Sequence, residues 1–142
     1  MKDFQIQMTD CVNALKHWTG TSSASIIYDS TVDPFTVDSL FNRVIGKQNI
    51  AIVAFSTDGD VFGGFYNVAV TKQEEDFNDP DMFIFSFESH GRCKIPQKFV
   101  VKERQKDFAV VYFYRFDPGD SDGWFVSFDV GLDNFDEEGF VL

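Results

Sequence analysis

Ile50-Ala-Ile-Val-Ala-Phe-Ser-Thr-Asp-Gly-Asp-Val-Phe-Gly-Gly-Phe-Tyr-Asn-Val-Ala-Val70 reads as two buried strands joined by a tight turn. The first run is almost wholly apolar, which predicts a strand covered on both faces. Asp58-Gly59 supplies the positive backbone dihedrals that a short hairpin turn needs. Phe62-Gly63-Gly64-Phe65 then removes two side chains in mid-strand. Such a step weakens a strand unless a bend or a closely approaching neighbour requires it, so the pair is read as architectural.

Working outward, residues 3 to 16 carry Phe4, Met8, Cys11, Val12 and Leu15 at helical spacing and predict an amphipathic helix lying on the sheet, stopped by Gly20. Ser25 to Tyr28 predicts a short strand. Asp33-Pro34 breaks the chain before Thr36, which caps a second helix with Val37, Leu40, Phe41, Val44 and Ile45 on one stripe and Gly46 at its end. From Asn49 on, strands are predicted near 49–55, 61–70, 82–88, 98–104, 108–116 and 124–130, separated by clusters of Asp, Asn, Gly and Pro. The economical architecture is α+β, mainly β: two antiparallel sheets packed as a sandwich with two flanking helices.

The 142 residues form one domain, with a helix over 1–17 and an acidic tail over 133–142. Eighteen phenylalanines give that domain an aromatic core. A net charge of −11 works against nucleic-acid binding and against anionic membrane surfaces. No stretch has the length and apolarity of a transmembrane helix, and the polar start, Met1-Lys2-Asp3, has no secretory apolar region. Two cysteines do not make a disulfide framework, which points to free thiols and a cytoplasmic setting.

Charge is unevenly spread. Arg92, Lys94, Lys98, Lys102, Arg104 and Lys106 fall within 15 positions that hold one acid, Glu103, whereas the final 26 residues carry eight acids and no base. On a strand over 98–104, Lys98, Lys102 and Arg104 share one parity and project together, with Phe99 and Val101 inward. Such a row either keeps an edge strand soluble or docks an acidic partner, as in a regulatory adaptor that binds a protein or nucleic acid.

Motifs for catalysis or metal binding are weak. Cys11, His17, His90 and Cys93 are the right residue types for zinc, but Cys11 lies on the apolar helix stripe and reads as a core thiol. Cys93, beside Arg92 and near His90, is a redox candidate and the only thiol suited to a redox enzyme. Asp117 to Gly123 lacks the first ligand of a calcium loop, since counting back from the glycine places Pro118 there. Ile45-Gly46-Lys47-Gln48 lacks the flanking residues of a phosphate loop. Glu74, Glu75, Asp76, Asp79 and Asp81 read as a solvated loop. The residues therefore call for no cofactor and no metal.

The hairpin with its glycine pair, followed by Phe83-Ile84-Phe85-Ser86-Phe87, resembles the TLDc domain of oxidation-resistance proteins, of some nuclear-receptor coactivators and of Rab-GAP-like proteins. Trp18 with Ile26-Ile27-Tyr28-Asp29-Ser30 resembles that family's early Trp and Tyr-Ser strand, and Phe35-Thr36 with Leu40-Phe41 its Ser-Leu-x-Thr-Leu-Tyr helix. Gly123-Trp124-Phe125 resembles a later glycine-rich strand. The resemblance spans residues 18–132. The chain carries no Cys-x-Thr-Phe stretch and no closing Leu-Glu-x-Trp strand, as a short or divergent member would. The resemblance implies a non-enzymatic protein-interaction domain in oxidative-stress protection that binds the peripheral, cytosolic part of the vacuolar proton-pumping ATPase.

Overall fold

The structure, a computed structural model, describes residues 4–88, 96–115, 125–130 and 140–141. Among these residues two α-helices, α1 (Phe4–Thr19) and α2 (Val37–Val44), precede eight strands. These are β1 (Ile50–Phe55), β2 (Val61–Tyr66), β3 (Phe77–Asn78), β4 (Phe83–Glu88), β5 (Gln97–Val101), β6 (Val110–Phe113), β7 (Val126–Asp129) and β8 (Phe140–Val141). The strands form a five-stranded sheet, β1-β2-β4-β5-β8, and a three-stranded sheet, β3-β6-β7, in which every pairing is antiparallel. The α+β sandwich read from the sequence is therefore the fold.

The β1–β2 hairpin forms where its residues predict, but β1 is an edge strand with Ala51 and Phe55 exposed rather than covered on both faces, and the positive φ of the Asp58-Gly59 pair falls on Gly59 alone. Gly59 takes φ +92° in the turn, which an L side chain rarely adopts, and its N–H donates to the Ser56 carbonyl at 3.1 Å. Strand alternation then sorts the phenylalanines. Phe83, Phe85 and Phe87 of β4 are all buried on the face that meets α1, alongside Val61 and Phe65 of β2 and Cys11 of the helix. Trp18 covers this cluster, stacked on Phe87 at 5.7 Å between centroids and edge-on to Phe83 at 6.0 Å. The opposite face of the large sheet meets the small sheet and α2, through Ile50, Tyr66, Val101, Val111, Phe113 and Phe41. Thr36 caps α2 by accepting the Ser39 N–H at 3.1 Å.

Gly63 and Gly64 are adjacent on β2 and face opposite sides of the large sheet. A Cβ on Gly63 would lie 1.8 Å from the Ile52 carbonyl oxygen and 2.8 Å from the Phe85 ring. One on Gly64, whose neighbours lie on the other face, would lie 2.5 Å from the ring of Phe128. The glycine pair is thus a packing requirement on both sides of one strand.

Several boundaries differ from the sequence reading, each for a local reason. Residues 25–28 form no strand, and Ile26 is exposed. Just beyond them the backbone folds into a turn in which Asp29 Oδ1 accepts the Thr31 N–H and Asp33 Oδ2 accepts the Asp29 N–H, both at 2.9 Å. Ile45 leaves the apolar stripe of α2 and is exposed at its C-cap. β2 ends at Tyr66 because the carboxylate of Asp79 takes the N–H groups of Asn67 and Val68 out of the ladder. β5 ends at Val101 and β6 begins only at Val110, because Glu103–Phe108 is a 3₁₀ helix. Its Glu-Arg-Gln-Lys-Asp run has no β-branched residue and lacks strand preference. Phe140–Val141 pair with Val100 and Val101, adding a strand at the end of the acidic stretch.

Overpacking a tight core costs about 1–3 kcal/mol and sometimes more. Gly63→Ala is expected at or above the top of that range, because its obstacle is backbone. Gly64→Ala is expected within it and to be relieved by Phe128→Leu, so that the double variant loses less stability than the two single changes together. Urea unfolding of the four proteins checks this, and additive losses would contradict the ring contact.

Candidate interaction surfaces

The basic residues do not form the row that strand parity predicts. Lys98 is on β5, opposite Phe85 in the register, and its ammonium lies 5.0 Å from the centroid of the Phe83 ring. Its stem and charge thus extend the α1 face. Lys102 comes after the strand, in the N-cap position of the 3₁₀ helix, and Arg104 is within that helix. Lys106 pairs with Glu103 at 3.0 Å. A turn of 3₁₀ geometry separates their directions, so Lys98, Lys102 and Arg104 do not share a sheet face. Arg92, Cys93, Lys94 and His90 lie outside the described residues, as do Gly123 and Trp124.

Other sequence candidates take structural places. Trp18, Gly63, Gly64 and Phe85 build the core described above, while Asp58 and Gly59 make the hairpin turn and Phe62 is half exposed beside it. Cys11 is in no disulfide among the described residues and is 2% exposed among the phenylalanines, while His17 is exposed. Asp79 departs from the solvated-loop reading: it is 1% exposed, and besides Asn67 and Val68 it accepts the Asp81 N–H at 3.1 Å. Its carboxylate replaces a stretch of sheet ladder, which is why its neighbours can leave the strand without orphaned donors. Among the described residues the buried Tyr66 hydroxyl has no hydrogen-bond partner, and burial raises its pKa. Among the described residues, no group of three or more His, Cys, Asp or Glu is placed to hold a metal ion.

A broad cleft of about 2160 Å³ runs along β1, the outermost strand of the large sheet, between Leu15 of α1, Ile26 and Phe125. A second concavity, about 190 Å³, lies on the outer face of the small sheet and is lined by Asp76, Val110, Tyr112, Tyr114, Ser127 and Asp129. Register accounts for it. Val110 faces Asp129 and Tyr112 faces Ser127 across β6 and β7, and Tyr114 follows Tyr112 by two residues, on the same side. The two tyrosine rings meet edge to face at 4.9 Å. Glu74 braces them: one carboxylate oxygen accepts the Tyr112 hydroxyl, and the other accepts the Arg115 N–H at 3.0 Å. Glu74 itself has φ +59°, held by its N–H donating to the Phe113 carbonyl at 2.7 Å. The hydrogen bond from Tyr112 lowers the Glu74 pKa, and the same bond pushes the phenol up to about 12. The sequence reading missed this face, although the alternation Val110-Val-Tyr-Phe-Tyr114 carries its signal.

A helix on one face of a glycine-stepped sheet, a second sheet on the other, and polar groups arrayed on the outer faces define an α+β sandwich domain. The TLDc domain matches residues 3–136, nearly the whole chain, and the protein belongs to that family. The family is linked to oxidative-stress resistance, and its domain is of the protein-interaction type. No curated protein and no solved structure matches the chain. Among the described residues, no helix is long and apolar enough to cross a membrane.

The Glu74 brace has a pH signature. A carboxyl whose folded pKa lies below its ordinary 4.5 adds stability that is complete above the unfolded value and is lost as pH falls through the folded one. Glu74→Gln is therefore expected to flatten the decline in stability on acidification. The urea midpoint should fall less between neutral pH and roughly pH 3 in the variant than in the wild type. Parallel declines would show that the brace is absent in solution.

Proposed function

We propose that this TLDc domain is a non-enzymatic, cytoplasmic protein-interaction module in oxidative-stress protection, and that it binds the peripheral, cytosolic part of the vacuolar proton-pumping ATPase. The observation that carries the reading is the family match, which runs through both helices and both sheets rather than through one motif. The internal chemistry is in keeping with it. Cys11 is packed among aromatic rings, and the carboxylate of Asp79 is committed to backbone donors, so neither is presented to a substrate. The partner then meets outer faces, where charge and aromatic rings set rate and orientation of encounter.

The purified domain is expected to bind the isolated peripheral sector of the pump in a biosensor titration. Gly63→Val, expected to be strongly destabilised, serves as the negative control. Absence of binding by the folded domain at micromolar concentration would remove the pump as partner. Catalytic turnover of peroxide that disappears in Cys93→Ala would instead make the chain a thiol enzyme.

A further inference from the structure

The small sheet's outer face has a shape and charge that the family match does not explain. Its concavity, at about 190 Å³, is below the 300–1,000 Å³ usual for small-molecule sites, so it suits the head group of one side chain better than a metabolite. Asp129 on β7 and Asp76, just before β3, flank the central strand β6 from its two sides. Between them stand Tyr112 and Tyr114. Two carboxylates and two electron-rich ring faces are the groups that receive an ammonium or guanidinium.

The site is also held ready. Tyr112 cannot swing freely, because its hydroxyl is tied to Glu74, and Glu74 is tied to the backbone of Phe113, the last residue of β6, and of Arg115 just beyond it. Tyr114 is fixed by its N–H, which donates to the Phe125 carbonyl at 3.0 Å, and by its edge contact with Tyr112. A docking side chain then orders little that is not already ordered, which keeps the entropic cost of binding low. The carboxylates of Asp76 and Asp129 take part in none of the side-chain hydrogen bonds or ion pairs among the described residues, whereas that of Glu74 is engaged. Arg115, which is exposed, acts electrostatically on Glu74. Two carboxylates are far short of the six to eight oxygens of a calcium site, so a cationic side chain is the better fit.

We propose that this face, formed by Asp76, Tyr112, Tyr114 and Asp129, docks a basic segment of a partner protein and seats one of its arginine or lysine side chains between the two carboxylates. The assignment rests on the protein-interaction reading and names the chemistry of the partner. A chain of net charge −11 attracts any polycation, so the site must be separated from bulk attraction.

The test is a fluorescence-anisotropy titration of the folded domain with a short labelled arginine–glycine repeat peptide at moderate salt, with a glutamate–glycine repeat as the control. Asp76→Asn with Asp129→Asn is expected to weaken the arginine peptide about tenfold. Asp81→Asn with Asp107→Asn, an equal change of net charge at exposed acids elsewhere, should leave affinity within about twofold. Tyr114→Ala should weaken binding and Tyr114→Phe should retain it, since the ring face is common to both aromatic residues. Equal losses in the two double variants, full retention in the first, or no binding by the wild type each overturn the site. Any of these leaves the pump-binding reading standing, because the biosensor titration decides that reading separately.

Discussion

The close contact of neighbouring backbone and rings at Gly63-Gly64 is the constraint from which the rest of the molecule follows. On one side of β2 the backbone of Ile52 and the ring of Phe85 occupy the space a side chain would take, and on the other side the ring of Phe128 does. A strand bare at two successive positions lets the ring of Phe85, from its own sheet, and the ring of Phe128, from the small sheet, lie against its backbone. What would otherwise weaken the strand is offset by dispersion and apolar burial on both faces. The phenylalanine-rich composition fits this arrangement, because flat rings can lie directly over exposed backbone. Trp18 then completes the layer on the α1 side by covering Phe83, Phe85 and Phe87 together.

Beyond this centre, the shape of the domain is set by polar side chains that intercept backbone donors. Asp79 stops β2 at Tyr66 and links the loop after it to the start of β4. The Asn78 side chain donates to the carbonyls of Lys106 and Ala109, joining β3 to the end of the 3₁₀ helix. Glu74 does the same for the end of β6. Each is an acid or amide in a segment whose composition alone suggests a solvated loop. Their combined effect is to hold the small sheet in place and to present Tyr112 and Tyr114 outward in fixed orientation. Fold and candidate docking face therefore depend on the same loop, 73–82.

The hairpin, the amphipathic helices and the two-sheet architecture were legible because they are written in periodicity and turn chemistry, which act locally. The Thr36 cap, the Asp58-Gly59 turn and the alternation of Phe83 to Phe87 all appear where the residues put them. What misled was the extension of local patterns past their limits. Continuing strand parity through Lys102 and Arg104 assumed a ladder that the 3₁₀ helix ends, and Ser25 to Tyr28 lost its predicted strand beside a turn fixed by Asp29 and Asp33. The Tyr112 face escaped notice for a different reason. Its members come from residues 74–76, 110–114 and 127–129, which only the β3-β6-β7 pairing brings together.

Native-state amide hydrogen exchange tests the central claim most directly, because it reads the stability of each strand separately. If the glycine step is where the layers are locked, amides of β2 and β4 should exchange only through global unfolding and be the slowest in the chain. Those of α1 and β7, each held through one face, should exchange through smaller openings. Protection in β2 no greater than in α1 would contradict the account, since a strand packed on both faces cannot open before the helix that covers it.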